Sequence, residues 1–278
     1  MSPDLTFLTL LIVKMVITAA FVVIASIVTE RAGPVIGALI STLPVSAGPG
    51  YVFLSLDHDT AFIAQAATAS LAINAATGLY TLVYCTVAQR APLVVAMPAG
   101  LGLWFLLAFG LRAFDLTVLQ AAIANVVVYA IAIPLVARFR HAIMPRVTRR
   151  WFDIPLRAAM VATLVATVVT ISSRVGPTMS GVIATFPIVL TSLMLILHPR
   201  IGGPATAAVI ANGLWGLVGF GAALLALHLA VVPLGAPIAL SLGLAVSVAW
   251  NAATWVIRRR NIPPRPALAT RPSSPPSA

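Results

Sequence analysis

The chain reads as a succession of continuous apolar runs, each about twenty residues long, separated by short stretches that hold nearly all of its charge. Twenty apolar residues is the length a helix needs to cross about 30 Å of hydrocarbon. A membrane barrel would instead show segments of roughly ten residues with alternating polarity. The pattern predicts nine transmembrane helices, over residues 7–29, 34–56, 61–87, 92–111, 115–138, 153–173, 177–198, 204–228 and 236–257. The expected fold class is therefore an all-α integral membrane protein. The residues after Arg260, NIPPRPALATRPSSPPSA, are rich in Pro and Ser and are read as a disordered tail over 261–278.

Composition narrows this further. Apolar residues make up 60% of the chain, charged residues 8%, and the mean hydropathy is +1.06. Soluble domains carry roughly 25% charged residues, so no soluble domain is expected. The net charge of +11 is distributed as a topology signal. With nine crossings, thirteen of the seventeen basic residues fall on one side, including Arg138, Arg140, Arg146, Arg149, Arg150, Arg200 and Arg258 to Arg260. The other side receives Arg112, Arg174 and the acidic loop Asp57-His58-Asp59. Positive-inside bias then puts the N-terminus outside and the C-terminus in the cytoplasm, as in a bacterial-type plasma (inner) membrane. Nucleic-acid binding is disfavoured, because the arginines are spread over loops without a binding fold.

One segment occurs twice. RAGPVIGALISTLP, from Arg31 to Pro44, returns as RVGPTMSGVIATFP, from Arg174 to Pro187, at a constant offset of 143 residues with six of fourteen positions identical. The same offset sets Lys14 opposite Arg157, so each copy follows a helix that carries one cation. Further matches join Thr68, Asn74 and Gly78 to Thr206, Asn212 and Gly216, and Ala91-Pro92 to Ala236-Pro237. Each repeat is thus four helices. Four crossings return a chain to its starting side, and the unmatched span 115–138 adds a crossing that turns the second unit over. The expected organisation is a first four-helix repeat over 1–112, a linker helix and basic cytoplasmic loop over 113–150, a second four-helix repeat over 151–260, and the tail. Inverted repeats place shared sites near the bilayer midplane.

The repeated unit has a basic residue early in its first helix, (A/G)xIxTxP at its second, and a fourth helix that begins with Ala-Pro. In the second half this runs from Leu156-Arg157-Ala158-Ala159 through SGVIATFPIVLTS to WNAATWVIRR. It resembles the small four-helix GlpM-type membrane proteins. The resemblance implies a tandem fusion of a unit that elsewhere stands alone. It implies no particular activity, and it supplies no catalytic residues.

Candidate chemistry gathers on the motif helices. Pro44 and Pro187 interrupt the helical ladder, and backbone freed within a bilayer must be satisfied by protein or by a wet cavity. Unwound segments around Ser41-Thr42-Leu43-Pro44 and Ala184-Thr185-Phe186-Pro187 could present carbonyls and hydroxyls to a ligand; a simple proline kink is the alternative. Lys14 and Arg157, as cations inside spans, mark a pathway or counter-ion site, or else snorkel to headgroups. Reading the spans as free of internal Asp and Glu assigns their counter-charge to the ligand, a lipid headgroup or helix carbonyls, which favours an anionic or zwitterionic substrate. Asn74 and Asn212 are ligand contacts or interhelical hydrogen-bond glue. The four histidines lack metal-ligand spacing, Cys85 is single, and no phosphate loop or nucleophile motif appears. No enzyme activity, metal or cofactor is expected.

Two functional classes are consistent with these features. One is an inverted-repeat permease or flippase for a small anionic or zwitterionic solute or lipid headgroup. Its substrate-binding residues would be Lys14, Ser41, Thr42, Pro44, Asn74, Arg157, Thr185, Pro187 and Asn212. The other is a non-transporting scaffold or accessory subunit of an envelope-synthesis or transport complex. The expected partners are the lipid bilayer and an anionic small molecule or lipid; homo-oligomerisation stays open.

Overall fold

The computed structural model describes residues 3–31, 47–140 and 150–260. Among them the apolar runs form nine α-helices: α1 (Pro3–Arg31), α2 (Ala47–Asp57), α3 (Thr60–Val87), α4 (Leu93–Gly110), α5 (Val118–Ala137), α6 (Asp153–Ala184), α7 (Ile188–Ile201), α8 (Gly203–Leu234) and α9 (Ala236–Arg260). Seven of these, all but α2 and α7, are long and apolar enough to cross a membrane, and α7 is a shorter apolar helix. This is the make-up of a multi-pass membrane protein. Local sequence fixes several ends. Asp59 caps α3 by accepting the Phe62 N–H at 2.8 Å. Thr117 and Gln120 form a reciprocal capping box at the start of α5.

Helix α3 is the axis of the bundle. It packs against α2, α4, α5, α6 and α8, and 78% of its span is buried. Much of its buried surface is alanine: Ala64, Ala66, Ala67, Ala69, Ala72, Ala75 and Ala76. Small side chains let neighbouring backbones come close, which is the main source of attraction between helices in lipid. At one very tight crossing, a Cβ on Gly181 of α6 would overlap the Ala66 carbonyl. Helix α1 lies at the periphery, packed chiefly on α6, with Leu8, Ile12 and Val16 exposed on its outer side.

The chain follows the expected spans closely through α3, α4 and α5 and departs from them after residue 173. Instead of two spans, 153–173 and 177–198, a helical run reaches Ala184 with a break at Gly176, and α7 begins only at Ile188. Gly176 adopts φ 75°, a left-handed conformation that suits glycine, and Pro177 then opens the next helical segment. Proline is tolerated in a first turn because the amide it lacks has no helical partner there. The deeper interruption falls at Thr185-Phe186-Pro187. Of the matching segment in the first half, residues 32–46 lie outside the described residues.

Helices α3 and α8 run antiparallel along most of their length. Ala64 and Thr68, early in α3, meet His228, late in α8. Asn74 meets Leu217 midway, and Cys85, late in α3, meets Ala207, early in α8. The ends of the bundle are thereby defined: the start of α3 and the start of α8 lie at opposite ends. The α3–α6 crossing depends on glycine, so Gly181→Ala is expected to force α6 off α3 and lower stability by about 2–3 kcal/mol, read as a fall in the detergent unfolding midpoint. An unchanged midpoint would show that this crossing is not close-packed.

Candidate functional site

The interruption between α6 and α7 is built by its own residues. The backbone preceding a proline is pushed away from helical angles, so the chain leaves the helix ahead of Pro187. Thr185 becomes the C-cap of α6 (φ −99°, ψ 8°), and Pro187, at φ −75° and ψ 53°, precedes α7. The Ile188 amide turns back to the Phe186 carbonyl at 2.6 Å, and the Thr191 amide reaches Pro187 at 2.9 Å. The Ala184 carbonyl therefore loses the amide that a continuous helix would supply. Thr185 is 7% exposed, and its hydroxyl donates to the Gly181 carbonyl at 2.8 Å.

That carbonyl is a meeting point. Ser70 of α3 also donates to it, at 2.7 Å, and Tyr51 of α2 is hydrogen-bonded to Ser70 at 2.6 Å. Continuing along α3, the Asn74 amide donates to Asn125 of α5 at 2.8 Å and to the Leu217 carbonyl of α8 at 3.0 Å. Asn125 in turn donates to the carbonyls of Leu71 and Ala121, and Tyr129 donates to the Asn74 carbonyl at 2.8 Å. Further on, Thr77 accepts from the Trp104 indole at 3.1 Å, Tyr80 donates to the Met194 sulfur at 2.9 Å, and Tyr84 is bonded to His198 at 2.8 Å. Asn74 Oδ1 is buried and has no partner among the described residues.

The structure keeps some of the residues proposed as one site together and separates others. Ser41, Thr42 and Pro44 lie outside the described residues. Asn74 is fully buried, whereas its repeat partner Asn212 is exposed on α8 and donates to its own helix at Ala208. Lys14 does not await a ligand's charge: it is ion-paired with Asp57 at 2.6 Å. The reading of the spans as free of acidic partners is thus corrected, because Asp57, at the end of α2, reaches the cation on the neighbouring helix. Nor do Lys14 and Arg157 converge. His58, next to Asp57, is bonded to Ser172 of α6, and Arg157 lies fifteen residues away, roughly 22 Å along the same helix. Thr185 and Pro187 remain together at the break.

Sequence reasoning missed Tyr51, Ser70, Asn125 and Tyr129. A signal for Ser70 was present: Ser70, Asn74, Thr77 and Thr81 recur at helical spacing in an otherwise apolar span, marking the face that turns to other helices. Asn125 and Tyr129 show the same i, i+4 spacing on α5.

Beside the break lies an apolar groove of about 420 Å³, walled by Trp104, Phe105 and Phe109 of α4, Met160, Thr163 and Thr167 of α6, and Phe186. It opens sideways, since Phe105 and Phe109 are 44% and 61% exposed. Among the described residues no group of three His, Cys, Asp or Glu side chains could hold a metal ion. Near the other end of α6, the Asp153 carboxylate grips Arg200 with two hydrogen bonds, at 2.6 and 2.8 Å, and holds that guanidinium above its ordinary pKa.

Comparison with family models, curated proteins and solved structures finds no match. The internal geometry alone therefore carries the functional reading. Asn125→Ala removes three hydrogen bonds at about 0.6 kcal/mol each in a membrane setting. It is expected to lower stability by roughly 2 kcal/mol in detergent unfolding, and a change near zero would remove the asparagine pair from the account of the core.

Proposed function

We propose that this chain is a membrane permease or flippase built from two inverted four-helix repeats, moving a small anionic or zwitterionic solute or a lipid headgroup by alternating access. The observation that carries the reading is the interrupted helix at Thr185-Phe186-Pro187, beside a groove that opens laterally among membrane-spanning helices. Interrupted helices within a bilayer are tolerated where protein or a water-filled cavity satisfies the freed backbone, and in transporters they mark substrate sites. A lateral opening lined by Phe and Met suits the chains of an amphipathic molecule, while freed carbonyls and the Thr163 and Thr167 hydroxyls suit its polar part.

The repeat reading draws support from α3 and α8. These are the third helices of the two sequence repeats, and they pack antiparallel, as an in-plane two-fold axis requires. Cross-pairs agree with it: α4 packs on α7 and α9 on α2, which exchange under the same repeat. Nine crossings, an external N-terminus and a cytoplasmic C-terminus belong to this proposal, as does the tandem fusion of a GlpM-type unit.

A second reading is favoured by one observation. The α3–α8 contact is closed over Asn74, which is fully buried, and a close-packed seam is what a scaffold would have. In the permease reading it is the closed form of the cycle.

Reconstituted vesicles distinguish the two. The wild-type chain is expected to move fluorescent phospholipid between leaflets or to release an entrapped organic anion. Thr167→Trp, which fills the groove from an exposed position, is expected to slow that movement about tenfold, an added barrier of roughly 1.4 kcal/mol. Vesicles that move neither probe above the protein-free rate would select the scaffold.

A further inference from the structure

Two ion pairs occupy related places in the two halves. In the first half, Lys14 on the first helix pairs with Asp57, the last residue of the short helix α2. In the second, Asp153 on α6 pairs with Arg200 near the end of the short helix α7. Asp57 and Arg200 are matched positions, 143 residues apart, the offset of the repeated motif. Each cation also lies over a phenylalanine ring: Lys14 over Phe53 at 5.7 Å, and Arg200 over Phe152 at 5.4 Å. The arrangement is thus repeated with its signs exchanged: the cation is on the first helix in one half, and on the short helix in the other.

The pairs sit at opposite ends of the molecule. Asp57 lies three residues before α3 and Arg200 three residues before α8, and the starts of these antiparallel helices are about 40 Å apart along a 28-residue helix. Each pair fastens a long helix to a short one. In the second half the short helix comes after a non-helical segment that can act as a hinge, Thr185 to Pro187. In the first half, α1 otherwise packs chiefly on α6, and Lys14–Asp57 is a polar tie from it to α2 beside the Phe53 ring.

We propose that Lys14–Asp57 and Asp153–Arg200 are end-specific latches, each closing one end of the molecule by holding the short helix of its half against the long first helix. Both are closed in this structure. The inference rests on the transport reading only for its purpose, because alternating access needs one end to open while the other stays shut. The latches themselves are testable without a known substrate.

Two buried reporter positions lie one turn from the pairs: Thr18, fully buried beside Lys14, and Ile196, 6% exposed before Arg200. Each is changed to cysteine singly in a chain carrying Cys85→Ala, and its rate of labelling by a water-soluble maleimide is measured in vesicles with access to the relevant side. Asp57→Asn is expected to speed labelling of Thr18→Cys several-fold and to leave Ile196→Cys unchanged. Asp153→Asn is expected to do the reverse. The charge-exchanged doubles Lys14→Asp with Asp57→Lys, and Asp153→Arg with Arg200→Asp, are expected to restore slow labelling. Acceleration at both ends by either single change, no acceleration at all, or failure of both exchanges to rescue would overturn the latches. Lipid and anion movement measured in the same vesicles separates the two ideas: end-specific labelling without movement overturns the transport reading alone.

Discussion

The polar side chains that α3 carries into the hydrocarbon have to find partners inside the protein, and the rest of the bundle supplies them for all but the Asn74 Oδ1. Water cannot serve there, and each unsatisfied group costs several kcal/mol. Ser70, Asn74, Thr77, Tyr80 and Tyr84 are buried on this one helix, and six neighbours answer them: α2 through Tyr51, α4 through Trp104, α5 through Asn125, α6 through the Gly181 carbonyl, α7 through Met194 and His198, and α8 through the Leu217 carbonyl. Apolar packing in lipid has little direction, because the surrounding chains are as apolar as leucine. The hydrogen bonds therefore set the register that alanine-rich surfaces leave loose.

The same requirement ties the interrupted helix to the centre of the molecule. The Gly181 carbonyl accepts from Ser70 and from Thr185, so the last turn before the break is anchored to α3 on one side and caps itself on the other. The backbone just past Thr185 is less constrained, since Pro187 has no amide to give and the Ala184 carbonyl has lost its helical partner. A turn anchored to α3 directly followed by a proline-broken one is the local geometry of a hinge. The groove along Phe186 lies at that boundary, where movement of α7 would change its width most.

How much of this was legible in the sequence depends on the range of the interaction. Helices with uninterrupted apolar runs, such as α4 and α5, could be read because span length and end signals are local. The interruption before Pro187 was legible for the same reason, since proline acts on its immediate neighbours. The boundary near 173 was misplaced because a left-handed glycine lets Pro177 begin a new helical segment at once. Partners across the bundle were not readable. Asn125 has no counterpart in the repeat, yet it is the main partner of Asn74. Lys14 looked unpaired because its partner Asp57 lies forty-three residues later and meets it only in the folded bundle. Asn74 and Asn212 match by offset but not by environment, since a repeated sequence does not oblige two copies to bury the same face.

The exchange of sign between the two ion pairs has a physical reason within the proposed orientation. Inversion carries a matched position to the opposite side of the membrane, so the end of the short helix faces outward in one half, as Asp57, and the cytoplasm in the other, as Arg200. Cytoplasmic ends favour arginine and lysine, and a duplicated unit that kept arginine at both places would violate that bias once. Placing aspartate outside removes the conflict, and each member of that matched pair then takes a partner of opposite sign from the first helix of its half, Lys14 for Asp57 and Asp153 for Arg200, although these two partners are not themselves matched positions. Inversion, topology and pairing are in this way one constraint. A pair that had kept the same polarity in both halves would have argued for two units lying the same way up.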